Sequence, residues 1–513
     1  MNVSTPLSTI IALARAGSLE HAWYEFAAAG YDRRDDDPAV LNVKGRLLKD
    51  RALRARGEER RRLYLESAAA YRRSAELQPG TYPLINAATL SLLSGDRAKA
   101  AEIAHEVLER IEREPDEPET PYWRGATVTE ALLLLGRFEE AKAALAEAIV
   151  AAPRAWEDHA STLRQFILIH DELGADSAWL AILRPPRSLS YSGSAVTSVE
   201  PADSELRSKI AVLIVRERVG FVFGGLSAGA EIVAAEAAIE AGAELHVVLP
   251  GGTEAFARAC VEPAGSGWRG RFDAMVGAAE SLHMVRPIGG LPGWDMMVLA
   301  ERVAAGTARL NGERLMSTSL CLALEGEPVL SELPIASQQV AQAPKAGAAA
   351  TPVLALLAVS VGGADEPEFE SRLRALRDVL SEFERAAVEP HLAEDDILVG
   401  FQDVDEAARA ARAVHAHLQG SMPLRIAGHY GFISLVRDPF VDAARPSEGG
   451  SRILKAIADA APPDTICVSL DFAAALAAGS GGPNCAHWIG ELHAFDGGTS
   501  IPLYALRPAD SGD

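Results

Sequence analysis

Cysteine, aromatic residues, positive charge and long apolar runs are all scarce in this chain of 513 residues. Its four cysteines (Cys260, Cys321, Cys467, Cys485) lie far apart, with no CxxC or Cys/His spacing. That excludes a zinc-ribbon or dithiol motif and predicts free thiols in a reducing compartment. Lys and Arg number 49 against 71 Asp and Glu, a net charge of −22. A broad nucleic-acid or anionic-membrane surface needs clustered cations, so neither partner is expected, although a local basic pocket could hold a small phosphate ligand. The longest uncharged apolar runs, such as Leu320–Leu324 and Val353–Val361, are too short to cross a bilayer. Met1–Ile11 has no basic residue ahead of its apolar ones, so no signal peptide is expected and the cytoplasm is the expected location. No HExxH pattern or Ser/His/Asp order is present, so no catalytic residue is assigned. His246 and His283 stand singly on expected strands and read as core or rim residues.

Against those absences, 48% of the chain is apolar and 23% charged, the balance of a globular protein. The length calls for two to four domains. Residues 1–183 are dominated by Ala, Leu, Glu and Arg with helical periodicity. In Leu135-Gly-Arg-Phe138, Gly136 closes one helix and Phe138 opens the next, which runs to Pro153 with small residues at Ala141 and Ala148. Tyr71–Pro79 carries a shorter version, and Leu92–Asp96 and Ala14–Leu19 look like further helix–turn–helix corners.

After Pro185-Pro186 the pattern changes to strands alternating with helices, expected over 184–326 as a doubly wound parallel sheet. Residues 327–352, rich in Ala, Pro, Gln and Gly, read as a linker. Residues 353–508 begin a second series: strand Val353–Val361, helix Glu366–Ala387, strand Ile397–Phe401, helix Val404–Leu418 and strand Leu424–His429. A helix near Ser451–Ala460, strand Thr465–Ser469, helix Phe472–Ala478 and strand Pro502–Leu506 complete it.

The helical region resembles the tetratricopeptide repeat, whose period of about 34 residues places small and large apolar residues this way. Such an array implies a concave groove for a protein partner; helices that only support the next domain are the other reading.

Val222-Phe-Gly-Gly-Leu-Ser-Ala-Gly-Ala-Glu231 runs from strand through a glycine turn into a helix. Glycines let a backbone approach phosphate, and a helix start favours an anion. The spacing is neither GxGxxG nor Walker A. With Gly242 and the strand Leu245–Pro250, the segment resembles the SLOG superfamily, which includes the DNA-processing protein DprA and the LOG phosphoribohydrolases. The resemblance implies a Rossmann-like α/β fold and a nucleotide-derived ligand over Ser192, Gly193, Gly224, Gly225, Ser227 and Gly229. Glu231 would take the acidic position at the helix start. A turn needed only for strand–helix packing is the competing reading. Pro250-Gly-Gly-Thr-Glu254 departs from the LOG signature and reads instead as a turn with Thr253 as helix N-cap.

Residues 353–508 resemble the class III adenylate/guanylate cyclase domain, on Asp395–Phe401, Leu424–Gly431, Pro462–Ser469 and Ile501–Leu506. The resemblance implies a ferredoxin-like α+β fold that pairs with itself or with another subunit. A cyclase holds two metal ions on two carboxylates. Here the first carboxylate position carries Ser360, or Val359 with a one-residue shift; the second matches Asp395, preceded by Glu394 where glycine is usual. The base-reading positions fall near His391 and Ala444, and the transition-state Asn and Arg positions at Ser451 and Lys455. Asp395 alone is unchanged, so metal binding rests on it, and Mg²⁺ is implied only if cyclase activity persists. Arg452 and Lys455, one turn apart, could hold a phosphate or form a solvated face.

The expectation is a signalling or regulatory protein: helical repeats for a partner, a SLOG-like nucleotide sensor, and a pseudo-cyclase that dimerises or binds nucleotide. An enzyme, either a nucleotide phosphoribohydrolase or a residual cyclase, and a ligand-free scaffold stay open as alternatives.

Overall fold

The computed structural model describes residues 5–113, 120–193, 203–286, 294–324, 328–332, 352–360, 366–383, 386–393, 396–418, 424–440, 442–479, 485–493 and 500–507. The chain divides into two compact units, Met1–Pro185 and Pro186–Asp513.

The first unit is a helical array: α1 Leu7–Arg15, α2 Leu19–Ala28, α3 Pro38–Arg54, α4 Gly57–Leu77, α5 Thr81–Leu93, α6 Arg97–Arg113, α7 Pro121–Leu134, α8 Phe138–Ala151 and α9 Trp156–Leu173. The starts are chemically marked. Asp37 caps α3 by accepting from Ala39 N, Thr120 caps α7 by accepting from Trp123 N, and a proline follows each cap. The corners repeat one device. Gly17, Gly95 and Gly136 all take positive φ. In each, the following amide returns to the carbonyl five residues earlier: Ser18 to Leu13, Asp96 to Ser91, and Arg137 to Leu132. That is the Schellman closure, and it folds each helix back on its predecessor. Gly136 and Phe138 stand where the sequence predicts them.

Four inner helices converge on one buried polar network. Lys49 of α3 donates to Gln165 of α9 (2.9 Å), Gln165 donates to Glu130 of α7 (3.2 Å), and Thr89 of α5 donates to the same carboxylate. Burial pushes the Lys49 pKa down and the Glu130 pKa up. Lys49 and Gln165 lie 116 residues apart in sequence, so this network draws the first and last of these helices together.

The second unit opens with strands and helices in alternation: β1 Arg187–Ser192, α10 Asp203–Arg216, β2 Val219–Gly224, α11 Ala230–Glu240, β3 Glu244–Leu249, α12 Thr253–Cys260, α13 Ser266–Ala278, β4 Ser281–Met284, α14 Trp294–Arg314, β5 Ser319–Ala323 and β6 Val329–Glu332. The sheet order is β4-β3-β2-β1-β5-β6. Strands β1 to β5 are parallel, and β6 pairs antiparallel with β5. The chain therefore moves outward from β1 to β4 and then returns to the other side of β1. Leu189 and Tyr191 of β1 join the cluster formed with α10 and α11. Ser188, one residue earlier, accepts a hydrogen bond from Asn311 of α14 at 3.0 Å. Strand alternation thus places α14 on the opposite face from α10 and α11.

The remainder comprises β7 Val353–Ser360, α15 Glu366–Leu380, β8 Ala386–Ala393, β9 Asp396–Phe401, α16 Val404–Leu418, β10 Arg425–Phe432, β11 Leu435–Asp438, β12 Ala443–Pro446, α17 Glu448–Ala460, β13 Thr465–Ser469, α18 Leu470–Ala478, β14 Ala486–His493 and β15 Ser500–Leu506. Seven strands form a mixed sheet in the order β14-β15-β13-β10-β7-β9-β8, with β11 and β12 as a separate hairpin. Ala427 packs with Leu454 and Ile457 of α17, while a Cβ on Gly428 would meet Phe472 of α18 at 3.2 Å. So α17 covers one face of this sheet and α18 the other.

Four sequence expectations need correction. The helix expected to run from Glu366 to Ala387 ends at Leu380, and Ala386–Ala393 is a strand paired antiparallel with β9. Val388 pairs with Gly400 and His391 with Leu398, with a register shift between them, and this sheet pairing overrides the helical propensity of the alanines at the strand start. The segment expected as linker from 327 contains β6, whose backbone completes the edge of β5. That strand also makes the first sheet mixed, not wholly parallel. Thr253 is the first residue of α12; Gly252 holds the N-cap position and no side chain caps this helix.

Candidate functional site

The strand order reverses at β1, which lies between β2 and β5. In open α/β sheets the crevice beyond the carboxyl ends of strands at such a reversal is where ligands bind. Ser192 and Gly193 end β1, and the turn Gly224–Gly229 follows β2, so the structure brings the predicted residues of the first site together.

The centre of this turn is Glu231. It lies in the first turn of α11 and is 2% exposed. One carboxylate oxygen accepts from the amide of Ser227 at 2.7 Å and the other from the amide of Gly193 at 3.3 Å. The side chain therefore ties the ends of two adjacent parallel strands to one helix start. Burial raises the Glu231 pKa, and the amides of Ser227 and Gly193 oppose the rise.

The glycines have close neighbours of their own. A Cβ on Gly224 would lie 2.4 Å from the Tyr191 ring, and one on Gly225 would lie 2.8 Å from the Glu231 carboxylate. Tyr191 also donates its hydroxyl to the carbonyl of Gly225 at 2.8 Å. Gly229 has φ 104°, a backbone conformation side chains avoid. Packing thus accounts for why these positions are glycine, while the reversal of strand order accounts for where the turn sits. The sequence showed the glycines but not Tyr191 as their partner, because only the β1–β2 register brings them face to face. Cys260 enters as well: its carbonyl accepts from the amide of Ala228 at 3.0 Å, and burial and then Glu231 push its thiol up to about 11. All four cysteines are free, as expected.

In the C-terminal sheet, Ser360 closes β7 opposite Asp396 of β9 and Arg425 of β10. It shares strand parity with Leu354, Leu356 and Ala358, which pack on the α17 side, so Ser360 faces the side that carries Ser451 and Lys455. The Ser451 hydroxyl is turned back onto the carbonyl of Ser447 at 3.3 Å, and Lys455 pairs with Asp459 at 3.3 Å on its own helix. His391 hydrogen-bonds the Glu389 carbonyl at 2.9 Å; burial lowers its pKa, with Arg445 of β12 adding to the effect and Asp438 of β11 opposing it. Ala444 stands on the same β12. Asp395 and Glu394 lie outside the described residues. Among those described, no group of three or more His, Cys, Asp and Glu side chains is arranged to hold a metal ion. At the end of β7, Ser360 offers a neutral hydroxyl rather than a carboxylate to a cation.

His283 is a hydrogen-bonded strand residue, in line with the reading of it as a core or rim residue: its Nε2 meets Oδ1 of Asp471, the second residue of α18, at 2.6 Å. No sequence pattern links residues 188 positions apart. His246 is stacked on Phe223, with ring centroids 4.6 Å apart, and burial lowers its pKa to about 4, in keeping with a neutral packed imidazole.

Comparison with known proteins gives a mixed picture. Residues 8–91 match the model of the family described as Tetratricopeptide Repeats-Sensor. The match falls on α1 to α5, before the segment 135–153 in which the repeat pattern is fullest. No curated protein matches the chain. Among solved structures, an adenylate cyclase from Trypanosoma brucei in its monomeric state shares 12% identity, over 32% of this chain and 93% of that one, with a TM-score of 0.27. The adenylyl cyclase CyaB from P. aeruginosa shares 9% identity, over 31% and 95%, with a TM-score of 0.26. A dimeric guanylyl cyclase domain of the RhoGC fusion protein from Blastocladiella emersonii shares 8%, over 31% and 97%, with a TM-score of 0.25. No helix among the described residues is long and apolar enough to cross a membrane.

Proposed function

We propose that this protein is a signalling or regulatory protein that senses a nucleotide-derived ligand. The observation that carries the reading is the convergence of Gly193, Ser227 and Glu231 beyond the strand ends where sheet order reverses. The middle domain, 184–326, is then a Rossmann-like domain of SLOG type, with Ser192, Gly193, Gly224, Gly225, Ser227, Gly229 and Glu231 around the ligand. The helical repeats, 1–183, recognise a protein partner; the match to a repeat family whose name includes "Sensor" supports that role.

The C-terminal domain, 353–508, is a ferredoxin-like pseudo-cyclase that self-associates or holds nucleotide without turnover. Support comes from the donor set: serine at Ser360, a helix-bonded hydroxyl at Ser451, and a lysine at Lys455 paired on its own helix. A lysine keeps charge but not the two-pronged geometry of arginine.

A thermal-shift panel of the full chain with ATP, GTP and AMP, with and without Mg²⁺, tests this reading. A shift seen with the wild type and lost in Gly225→Asp supports it. Cyclic nucleotide or free base released on incubation, and abolished by Asp395→Ala or Glu231→Ala, would establish an enzyme instead. No shift with any nucleotide would favour a scaffold.

A further inference from the structure

Helix α18 is buried along its whole length, although it belongs to the C-terminal sheet. Its partner on the outer side is α14, the helix whose other face covers β1, β2, β3 and β5 of the first sheet. The approach is very close. A Cβ on Gly306 of α14 would fall 1.7 Å from the carbonyl oxygen of Ala474.

Each end of α18 is completed by the neighbouring domain. At its carboxyl end, Arg302 donates to the carbonyl of Ala475 at 3.1 Å and Arg309 to that of Ala477 at 2.6 Å. These are carbonyls left without partners inside the helix, and the positive charge suits that end of its dipole. Arg302 is fixed in turn beside Asp405 of α16 and over the ring of Tyr430. At the amino end, Ser469 caps the helix, and Asp471 in its first turn meets His283 of β4.

We propose that α18 is a key by which the first sheet domain holds the C-terminal one, and that the His283–Asp471 contact makes its seating tighter when His283 is protonated. A neutral imidazole can donate one hydrogen bond to the carboxylate, whereas the imidazolium adds a full charge in a largely desolvated contact. Besides Arg302, Arg309, Asp405 and Tyr430, the charged or titratable groups at this junction include His429 of β10, bonded through Nδ1 to Ser469 at 3.0 Å, and Arg286, which lies over Phe432 of β10. Burial disfavours charge on both histidines. For His283, Asp471 more than offsets that and holds its pKa above the ordinary value; for His429 it does not, and the pKa is lowered, the charge of His283 contributing. Between the two imidazoles, protonation is therefore favoured at His283 over His429. The sign follows: seating is strongest below the ordinary imidazole pKa and weakens as pH rises through the raised value of His283.

The test is a histidine titration of the full chain by NMR, with the ring carbons labelled, joined to hydrogen exchange across 470–478. His283 should titrate above the ordinary value of about 6.5. Asp471→Asn should return it to that value or lower. Protection of α18, corrected for intrinsic exchange, should fall with rising pH in the wild type and become flat in His283→Gln. Gly306→Val, which collides with α18 whatever the pH, should remove both the raised pKa and the protection. A His283 pKa at or below the ordinary value, or one that Asp471→Asn leaves unchanged, would overturn the proposal. So would a pH-dependence of protection that persists in His283→Gln.

Discussion

The amide of Gly193 and the carboxylate of Glu231, 38 residues apart in sequence, meet at 3.3 Å and tie the end of β1 to the start of α11. Because Ser227 donates to the same carboxyl group, Glu231 itself supplies the acceptors for both amides. Replacing Glu231 with alanine leaves two buried amides without acceptors, at a cost of about 1–3 kcal/mol each. Urea unfolding of Glu231→Ala should show a loss of that order.

Glu231→Gln separates charge from shape. Burial raises the folded-state pKa of Glu231, so ionising it costs more in the folded chain than in the unfolded one. Its contribution is fully present below the unfolded carboxylate pKa and declines as pH rises through the raised folded value. Glutamine does not titrate. The stability gap between wild type and Glu231→Gln should therefore narrow as pH rises through that value, as followed by denaturant midpoints.

Gly224→Ala places a methyl group 2.4 Å from the Tyr191 ring. Overpacking of this kind costs about 1–3 kcal/mol. Tyr191→Leu in the same chain should recover part of the loss, since the ring is the obstacle. A double-mutant cycle measures the coupling, and strict additivity of the two changes would contradict the packing account.

In the helical unit, Lys49→Met leaves Glu130 buried beside fewer compensating groups. A loss of about 1–3 kcal/mol is expected. Adding Glu130→Gln should lower the cost of losing Lys49, because a neutral amide no longer needs the cation. Thermal unfolding of the isolated changes and the pair reads this directly.

Ser360→Asp places a carboxylate at the end of β7. With Ser451 and Lys455 unchanged, no cyclic nucleotide should form from ATP or GTP with Mg²⁺ or Mn²⁺. Chromatographic detection of a cyclic product from this single variant would show that the C-terminal domain lacks one ligand only.

Much of the local architecture was legible beforehand. The limits of β1, β3, α16 and β13 were read from apolar runs and their bounding turns, and the corner at Gly136 from its small-residue signature. Strands β8, β11, β12 and β14 were not seen. Each pairs antiparallel with its neighbour along the chain, β8 with β9, β11 with β12 and β14 with β15, and this pairing, not a period-two apolar pattern, makes them strands.

Composition, periodicity and turn residues determined a helical array followed by segments that alternate strands and helices, and placed a glycine turn after β2, because these are consequences of local backbone preference and side-chain spacing. Only the tertiary structure decided what each of those residues meets. Gly224 faces Tyr191, Glu231 gathers two amides, Lys49 reaches Gln165, and His283 finds Asp471. Each pair depends on strand register or helix docking, which a sequence fixes through the packing of the whole core and not through any local motif.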